Sequence, residues 1–446
     1  MISQTRALAE REVPRYTSYP TAAQFSPLIG ADKYGLWLST LPSHAAVSLY
    51  IHVPFCAQLC NYCGCHTKAV RRRGPIDAYA DRLIEEIALV GARLGGRKVV
   101  HLHWGGGTPS ILGERIIELF AKINDAFDLA TLREHAIELD PRFVTRQLAR
   151  SLVSIGVTRA SLGVQDFAAH VQHAIGRIQP FAVVERAVLA LRELGIDSIN
   201  FDFMYGLPGQ NAKDIRQSVA LAASLQPQRV AYFGYAHVPW FKTHQRLIDE
   251  ATLPGALERV EQAEIARETL VAFAYEPVGL DHFAQLDDDL AVAAFAGRLH
   301  RNFQGYTTDH ADALIGLGAS AIGRFAEGFI QNAPDAGGYA RAIASGRFAT
   351  ARGIALSTDD RLRGRIIERL MCNFSVDLDE VVGGEDVGDG FDAELAALTP
   401  LEAEGLVQID GKHITVTEQG RPFVRLAAAA FDAYFPKARA RHSVAV

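Results

Sequence analysis

The chain has 446 residues, enough for two or three domains at roughly 100–200 residues each. Its 45 basic and 51 acidic residues leave a net charge of −6, so no overall positive field draws in nucleic acid or anionic lipid. A hydrophobic share of 49% supports a buried core, and no stretch reaches the ~18 uninterrupted apolar residues of a membrane span.

The opening segment, MISQTRALAEREVPRY, carries charges where a signal peptide needs an apolar run, so a cytoplasmic location is expected. After an N-terminal arm over residues 1–40, six short β-branched or aromatic segments read as strands. They are AAVSLYIHVPF, KVVHLHWGGG, HAIELDP, VTRASLGVQDF, SINFDFMYGLPG and RVAYFGYAHVP. Amphipathic helical stretches such as DAYADRLIEEIALVGARL and PFAVVERAVLALRELG lie between them. Gly156 and Gly195 directly follow two of these helices, where a left-handed residue is wanted. Six alternations predict an α/β fold, a partial (β/α)6 parallel barrel with helices outside, within a domain over 41–350. The polar and glycine-rich residues just after the strands would then gather at one end, where such barrels build their sites.

Beyond residue 250 the alternation fades. From about 360 the chain reads helix, helix and then a hairpin with Asp410-Gly411 at or beside its turn. This predicts a mostly helical, winged-helix-like C-terminal domain over 351–446. Acidic residues match basic ones there, so a packing or lid role is expected instead of DNA binding.

Four of five cysteines, Cys56, Cys60, Cys63 and Cys65, fall within FCAQLCNYCGC. An odd number crowded into one loop is a poor disulfide framework and a better metal candidate. Zinc would need Cys56, His52 or His66 to complete a tetrahedron with the Cys60/Cys63 pair. Alternatively, three thiolates at C-x3-C-x2-C spacing reach three corners of an iron–sulfur cubane, leaving one iron open. Spacing alone leaves both open. Cys372, far away in a helical stretch, is expected to be a buried small residue.

The surrounding residues resolve the choice by likeness. YIHVPFCAQLCNYCGC resembles the signature of the radical S-adenosylmethionine enzymes, and GGGTP follows one strand later, as in that superfamily. The resemblance implies a 4Fe–4S cluster on Cys56, Cys60 and Cys63, whose open iron chelates S-adenosylmethionine. It implies reductive cleavage of that sulfonium to a 5′-deoxyadenosyl radical. Further segments in order (PRYTSYPTA, LHWGGGTPS, ELDPR, LGVQDF, YGLPGQ, GLDHF, LHRNFQGYTT and MCNF) resemble the oxygen-independent coproporphyrinogen III dehydrogenase family over nearly the whole chain.

That likeness implies oxidative decarboxylation of two propionates of coproporphyrinogen III to vinyl groups, giving protoporphyrinogen IX. It implies a one-electron donor, a final electron acceptor and two molecules of S-adenosylmethionine, and a monomer is expected. Carried over by position, Tyr50, Tyr62, Gly106, Gly107, Thr108, Glu138, Gln165, Arg177, Asp202, Ala236 and Ile322 would contact S-adenosylmethionine. His52 would serve the radical chemistry or simply pack. Arg15 and Arg301 could each fork onto a propionate or lie on the surface. Cys65 is no cluster ligand in the family; with the RYTSYPT arm it favours the dehydrogenase over the related haem chaperones, the alternative reading. The segment GRFAEGFIQNAPDAGGYA, after Ile322, matches the family pattern only loosely.

Overall fold

The computed structural model describes residues 2–383 and 390–435. All six expected strands form: β1 (Val47–Val53), β2 (Val99–Gly106), β3 (Glu134–Leu139), β4 (Arg159–Gln165), β5 (Ser198–Tyr205) and β6 (Arg229–Gly234). After each comes a long helix: α1 (Arg73–Leu94), α2 (Arg115–Ala126), α3 (Arg146–Ser154), α4 (Phe181–Arg192), α5 (Ala212–Ser224) and α6 (Ala256–Ala272). β1 is buried on both faces apart from half-buried Tyr50, as a parallel strand covered by helices should be. Gly156 (φ +77°) and Gly195 (φ +92°) follow α3 and α4 in left-handed geometry. Asn211 caps α5 in a reciprocal box with Asp214, holding two otherwise orphaned amides.

The chain divides into two compact units, and it passes from one to the other within β5. The first comprises residues 25–202 and 309–355. Its strands run in the order Thr350–Ala355, Gly328–Asn332, Ile322–Phe325, Ala313–Leu317, β1, β2, β3, β4. β1 lies parallel to both β2 and Ala313–Leu317, and the ladder continues in parallel to β3 and β4. The three outermost strands join antiparallel. The stretch where alternation faded therefore supplies four strands, two of them from GRFAEGFIQNAPDAGGYA. Ala313–Leu317 and Gly328–Asn332 are buried at every position, so neither shows the period-two pattern of a half-buried strand.

The second unit comprises residues 1–24, 203–308 and 356–446. β6 pairs antiparallel with His282–Ala284, which pairs with Glu276–Val278. The core of this unit joins Ala9, Val13, Tyr16 and Tyr19 of the N-terminal arm to Leu362, Ile366 and Leu370 of the helix Thr358–Asn373. Polar groups pin the arm down: Tyr16 Oη donates to Asp432 Oδ2 at 3.1 Å, and the Ala433 amide donates to Tyr19 Oη at 3.1 Å. Cys372 is buried in that helix, as expected. A second helix, Asp392–Ala403, and the hairpin Val407–Asp410/His413–Val416 complete the winged-helix-like pattern, with Gly411 at φ +61° in the turn. A third strand, Ser375–Asp377, adds to the hairpin.

Candidate active site

The cysteine loop begins where β1 ends, and short-range bonds give it a fixed path. Lys68 N donates to Pro54 O and Val70 N to Cys56 O, so the loop returns beside its own start. Asn61 N donates to Ile175 O at 2.9 Å, anchoring its middle. Cys63 N donates to Cys60 O at 3.2 Å, the tight turn that C-x2-C spacing allows. Tyr79 of α1 donates its hydroxyl to His52 O and accepts from Ala319 N, holding the last residues of β1 in place.

The sulfurs of Cys56 and Cys60 each have polar neighbours. Cys56 Sγ lies 3.3 Å from Thr67 Oγ1 and accepts from Thr108 Oγ1 at 3.4 Å. Burial raises the Cys56 thiol above its ordinary pKa, and these two hydroxyls work against that rise. Cys60 Sγ accepts from Arg177 Nη1 at 3.5 Å and Arg142 Nη2 at 3.9 Å. Such cationic donors suit a sulfur that carries negative charge, as a metal-bound sulfur does. Asp140 holds both arginines, at 2.6 Å from Arg142 Nη2 and 3.2 Å from Arg177 Nη1. Burial alone would raise the Asp140 pKa, but Arg142 and Arg177 bring it below the ordinary value.

Among the described residues, no three His, Cys, Asp or Glu side chains come together in the arrangement that holds a single metal ion. Three thiols on one loop, two of them fed by hydroxyl or guanidinium donors, fit a group larger than one ion. An iron–sulfur cluster is such a group, and its sulfurs are tuned by donors of this kind.

Beside the thiols lies a second constellation. Tyr50 Oη donates to His52 Nδ1 at 3.0 Å, while His52 Nε2–H donates to His66 O at 3.1 Å. A carbonyl only accepts, so the proton must sit on Nε2 and Nδ1 must accept. Burial lowers the His52 pKa, which keeps this neutral tautomer in place. Glu138, on the next strand but one, accepts from Gly106 N at 3.0 Å and faces His103 Nε2 at 3.1 Å. Burial would raise its pKa; His103 and the Gly106 amide outweigh that and hold it lower.

The three glycines open space that the protein itself fills. A Cβ at Gly105 would lie 2.6 Å from Glu138 Oε1, and one at Gly106 would lie 2.7 Å from the His52 ring. A Cβ at Gly107 would lie 2.5 Å from Phe55 O. Gly106 also has φ +114°, a region side chains rarely adopt.

Of the remaining expected residues, Gln165 ends β4 with φ +69°, a strained position for a residue with a side chain. Asp202 accepts from Ser161 Oγ at 2.7 Å and Asn200 Nδ2 at 2.9 Å. Ile322 lies beside Gly316, which pairs in register with Tyr50. Half-buried Tyr62 sits in the loop next to Cys63. All of these belong to the first unit. Ala236 does not: it lies two residues past β6 in the second unit, where its carbonyl accepts from Gln245 Nε2 at 3.2 Å. The sequence reading missed Asp140, Arg142, His103 and Thr67. Asp140 and Arg142 stood in the quoted ELDPR motif, but nothing in a one-dimensional motif says that its arginine reaches a cysteine 82 positions earlier.

The fold and this site define a radical S-adenosylmethionine domain: the Radical SAM superfamily model matches residues 50–222, and the HemN C-terminal domain model matches 356–423. The oxygen-independent coproporphyrinogen III oxidase of Bradyrhizobium diazoefficiens is 48% identical over 442 residues, covering 98% of each chain. Its counterpart in Escherichia coli is 38% identical over 424 residues, covering 94% of this chain and 93% of that one. The solved structure of coproporphyrinogen III oxidase (HemN) from Escherichia coli superposes with a TM-score of 0.90 at 37% identity, over 95% of this chain and all of the other. The chain belongs to the oxygen-independent coproporphyrinogen III oxidase family. The partial-barrel α/β fold read from the six alternations agrees with that structure.

Proposed function

We propose that the protein converts coproporphyrinogen III to protoporphyrinogen IX by oxidative decarboxylation of two propionate side chains. At each propionate a hydrogen atom leaves the β-carbon, the carboxylate departs as carbon dioxide and one electron is removed, leaving a vinyl group. The observation that carries this reading is the three-cysteine loop at the end of β1, set beside Glu138 and the Tyr50–His52 pair in a chain alike to these oxidases from end to end.

Cys56, Cys60 and Cys63 would hold a 4Fe–4S cluster, which with S-adenosylmethionine supplies a hydrogen-abstracting radical. The chain's own residues bind and orient. Arg142 and Arg177 donate to the Cys60 sulfur, and the Thr67 and Thr108 hydroxyls stand against the Cys56 sulfur, so both are positioned where a ligated sulfur would carry negative charge. Tyr50, Tyr62, Gly106, Gly107, Thr108 and Glu138 are assigned to S-adenosylmethionine, as are Gln165, Arg177, Asp202, Ala236 and Ile322. Two molecules of the cofactor suit two decarboxylations. His52 acts as a positioning residue for Tyr50, because both of its ring nitrogens are engaged. The proposed setting is a cytoplasmic monomer served by a one-electron donor and a final electron acceptor. No helix among the described residues is long and apolar enough to cross a membrane.

The test is anaerobic reconstitution with iron and sulfide, then incubation with dithionite, S-adenosylmethionine and coproporphyrinogen III. Protoporphyrinogen IX and 5′-deoxyadenosine should appear together. An intact cluster with no vinyl product rules out this substrate, and stoichiometric haem transfer without turnover would identify a chaperone instead.

A further inference from the structure

Four arginines from distant parts of the chain meet in the second unit. Arg15, in the N-terminal arm, donates through Nη2 to Gly234 O at 2.7 Å, at the end of β6. Arg259 of α6 reaches the same point: a Cβ at Gly234 would lie 3.1 Å from its Nη2 and 2.9 Å from Tyr205 Oη. Its guanidinium also stands 5.7 Å from the centre of the Tyr205 ring, and Gly206 leaves room for Nη1. Arg425 Nη1 donates at 3.5 Å to Val13 O, two residues before Arg15. Arg301 lies over the Tyr306 ring at 4.4 Å, and its Nη1 is 4.0 Å from Asp281 Oδ1.

Asp281 faces the group, and its Oδ1 also accepts from His282 Nδ1 at 2.8 Å. The Arg301 side chain is only 7% exposed, yet among the described residues its Nε and Nη1 find no hydrogen-bond partner. Arg15 differs in being open to solvent, although protein crowds around it at longer range. Burial and mutual repulsion bring Arg15, Arg259 and Arg425 below the ordinary guanidinium pKa, with Arg425 at about 9. All therefore remain cations at neutral pH, held together against their own repulsion. Desolvated guanidinium groups gathered in this way are matched by carboxylates, which they grip bidentately.

We propose that Arg15, Arg259, Arg301 and Arg425, with the Tyr205 hydroxyl, form a carboxylate-binding site that holds propionate groups of the tetrapyrrole. This rests on the function proposed above, since coproporphyrinogen III carries four propionates and only two are lost. The site explains why the N-terminal arm is built into the core of this unit: it delivers Arg15.

The test uses full-length protein with coproporphyrin III, followed by tryptophan and porphyrin fluorescence, and the tetramethyl ester of coproporphyrin III as the uncharged control. Arg15→Gln and Arg259→Gln should each weaken coproporphyrin III binding about tenfold or more while leaving the ester unaffected. Arg15→Gln should not lower the melting temperature of the ligand-free protein, because it removes a repelling charge from an accessible position. Unchanged coproporphyrin III affinity in both variants overturns the site. Equal weakening of the acid and the ester overturns it too, by showing a shape effect without carboxylate recognition. So does weakened S-adenosylmethionine binding with the porphyrin unaffected. Wild-type protein that binds coproporphyrin III through these arginines but forms no vinyl product leaves the site standing and sinks the reaction instead.

Discussion

The Tyr50 hydroxyl is held 3.0 Å from His52 Nδ1, and His52 is fixed in turn by the His66 carbonyl 3.1 Å away, within the cysteine loop. A strand residue and the cysteine loop are thus joined through one neutral imidazole. Tyr50→Phe and His52→Ala should each reduce S-adenosylmethionine cleavage by about tenfold or more. Since one bond joins them, the double variant should lose little more than either single one. Additive losses in a single-turnover 5′-deoxyadenosine assay would show that the two side chains act separately.

Asp140 stands between buried Arg177 and half-buried Arg142, both of which reach Cys60. Asp140→Asn should lower stability by about 3–5 kcal/mol, because it leaves the buried Arg177 cation without its counter-charge. Its folded pKa is depressed, so its contribution is present above the unfolded value near 4 and is lost as the pH falls below it. Chemical denaturation at pH 7 and pH 3.5 checks both points: the gap between wild type and variant should shrink at the lower pH.

Glu86 of α1 follows the opposite rule. Its carboxylate is buried and accepts from Tyr339 Oη at 2.7 Å, Gly318 N at 2.6 Å and Asn332 Nδ2 at 2.7 Å. Burial, only partly offset by these donors, pushes its pKa up to about 7. A raised folded pKa means that stability is fully present below about pH 4.5 and falls as the pH rises through 7, by about 3 kcal/mol. Glu86→Gln should flatten that slope in denaturation curves between pH 5 and 8. It should also lower stability overall, since the amide turns a donor towards donors.

The cysteines should separate cleanly. Alanine at Cys56, Cys60 or Cys63 should abolish iron loading, whereas Cys65→Ala should retain it. Iron and sulfide content after anaerobic reconstitution is the measurement, with the visible absorption spectrum beside it.

Glycine replacements should differ by what each Cβ meets. Gly107→Ala drives a methyl group into the Phe55 carbonyl, which cannot rotate away, and should lower the melting temperature by several degrees. Gly105→Ala meets the Glu138 side chain, which can rotate, so it should cost less stability and more S-adenosylmethionine affinity.

By itself the sequence determined the six strand–helix units, the C-terminal hairpin at Asp410-Gly411 and the three-thiol loop. These are written in local periodicity, turn residues and spacing, each contained within a dozen or so positions. It could not reveal that residues 313–355 extend the sheet, because strands buried on both faces lose the alternation that marks a strand. Nor could it pair Arg142 and Arg177 with Cys60, or bring Arg15, Arg259, Arg301 and Arg425 together. Those contacts join side chains dozens to hundreds of residues apart, and only the folded chain decides which distant charges must share one desolvated place.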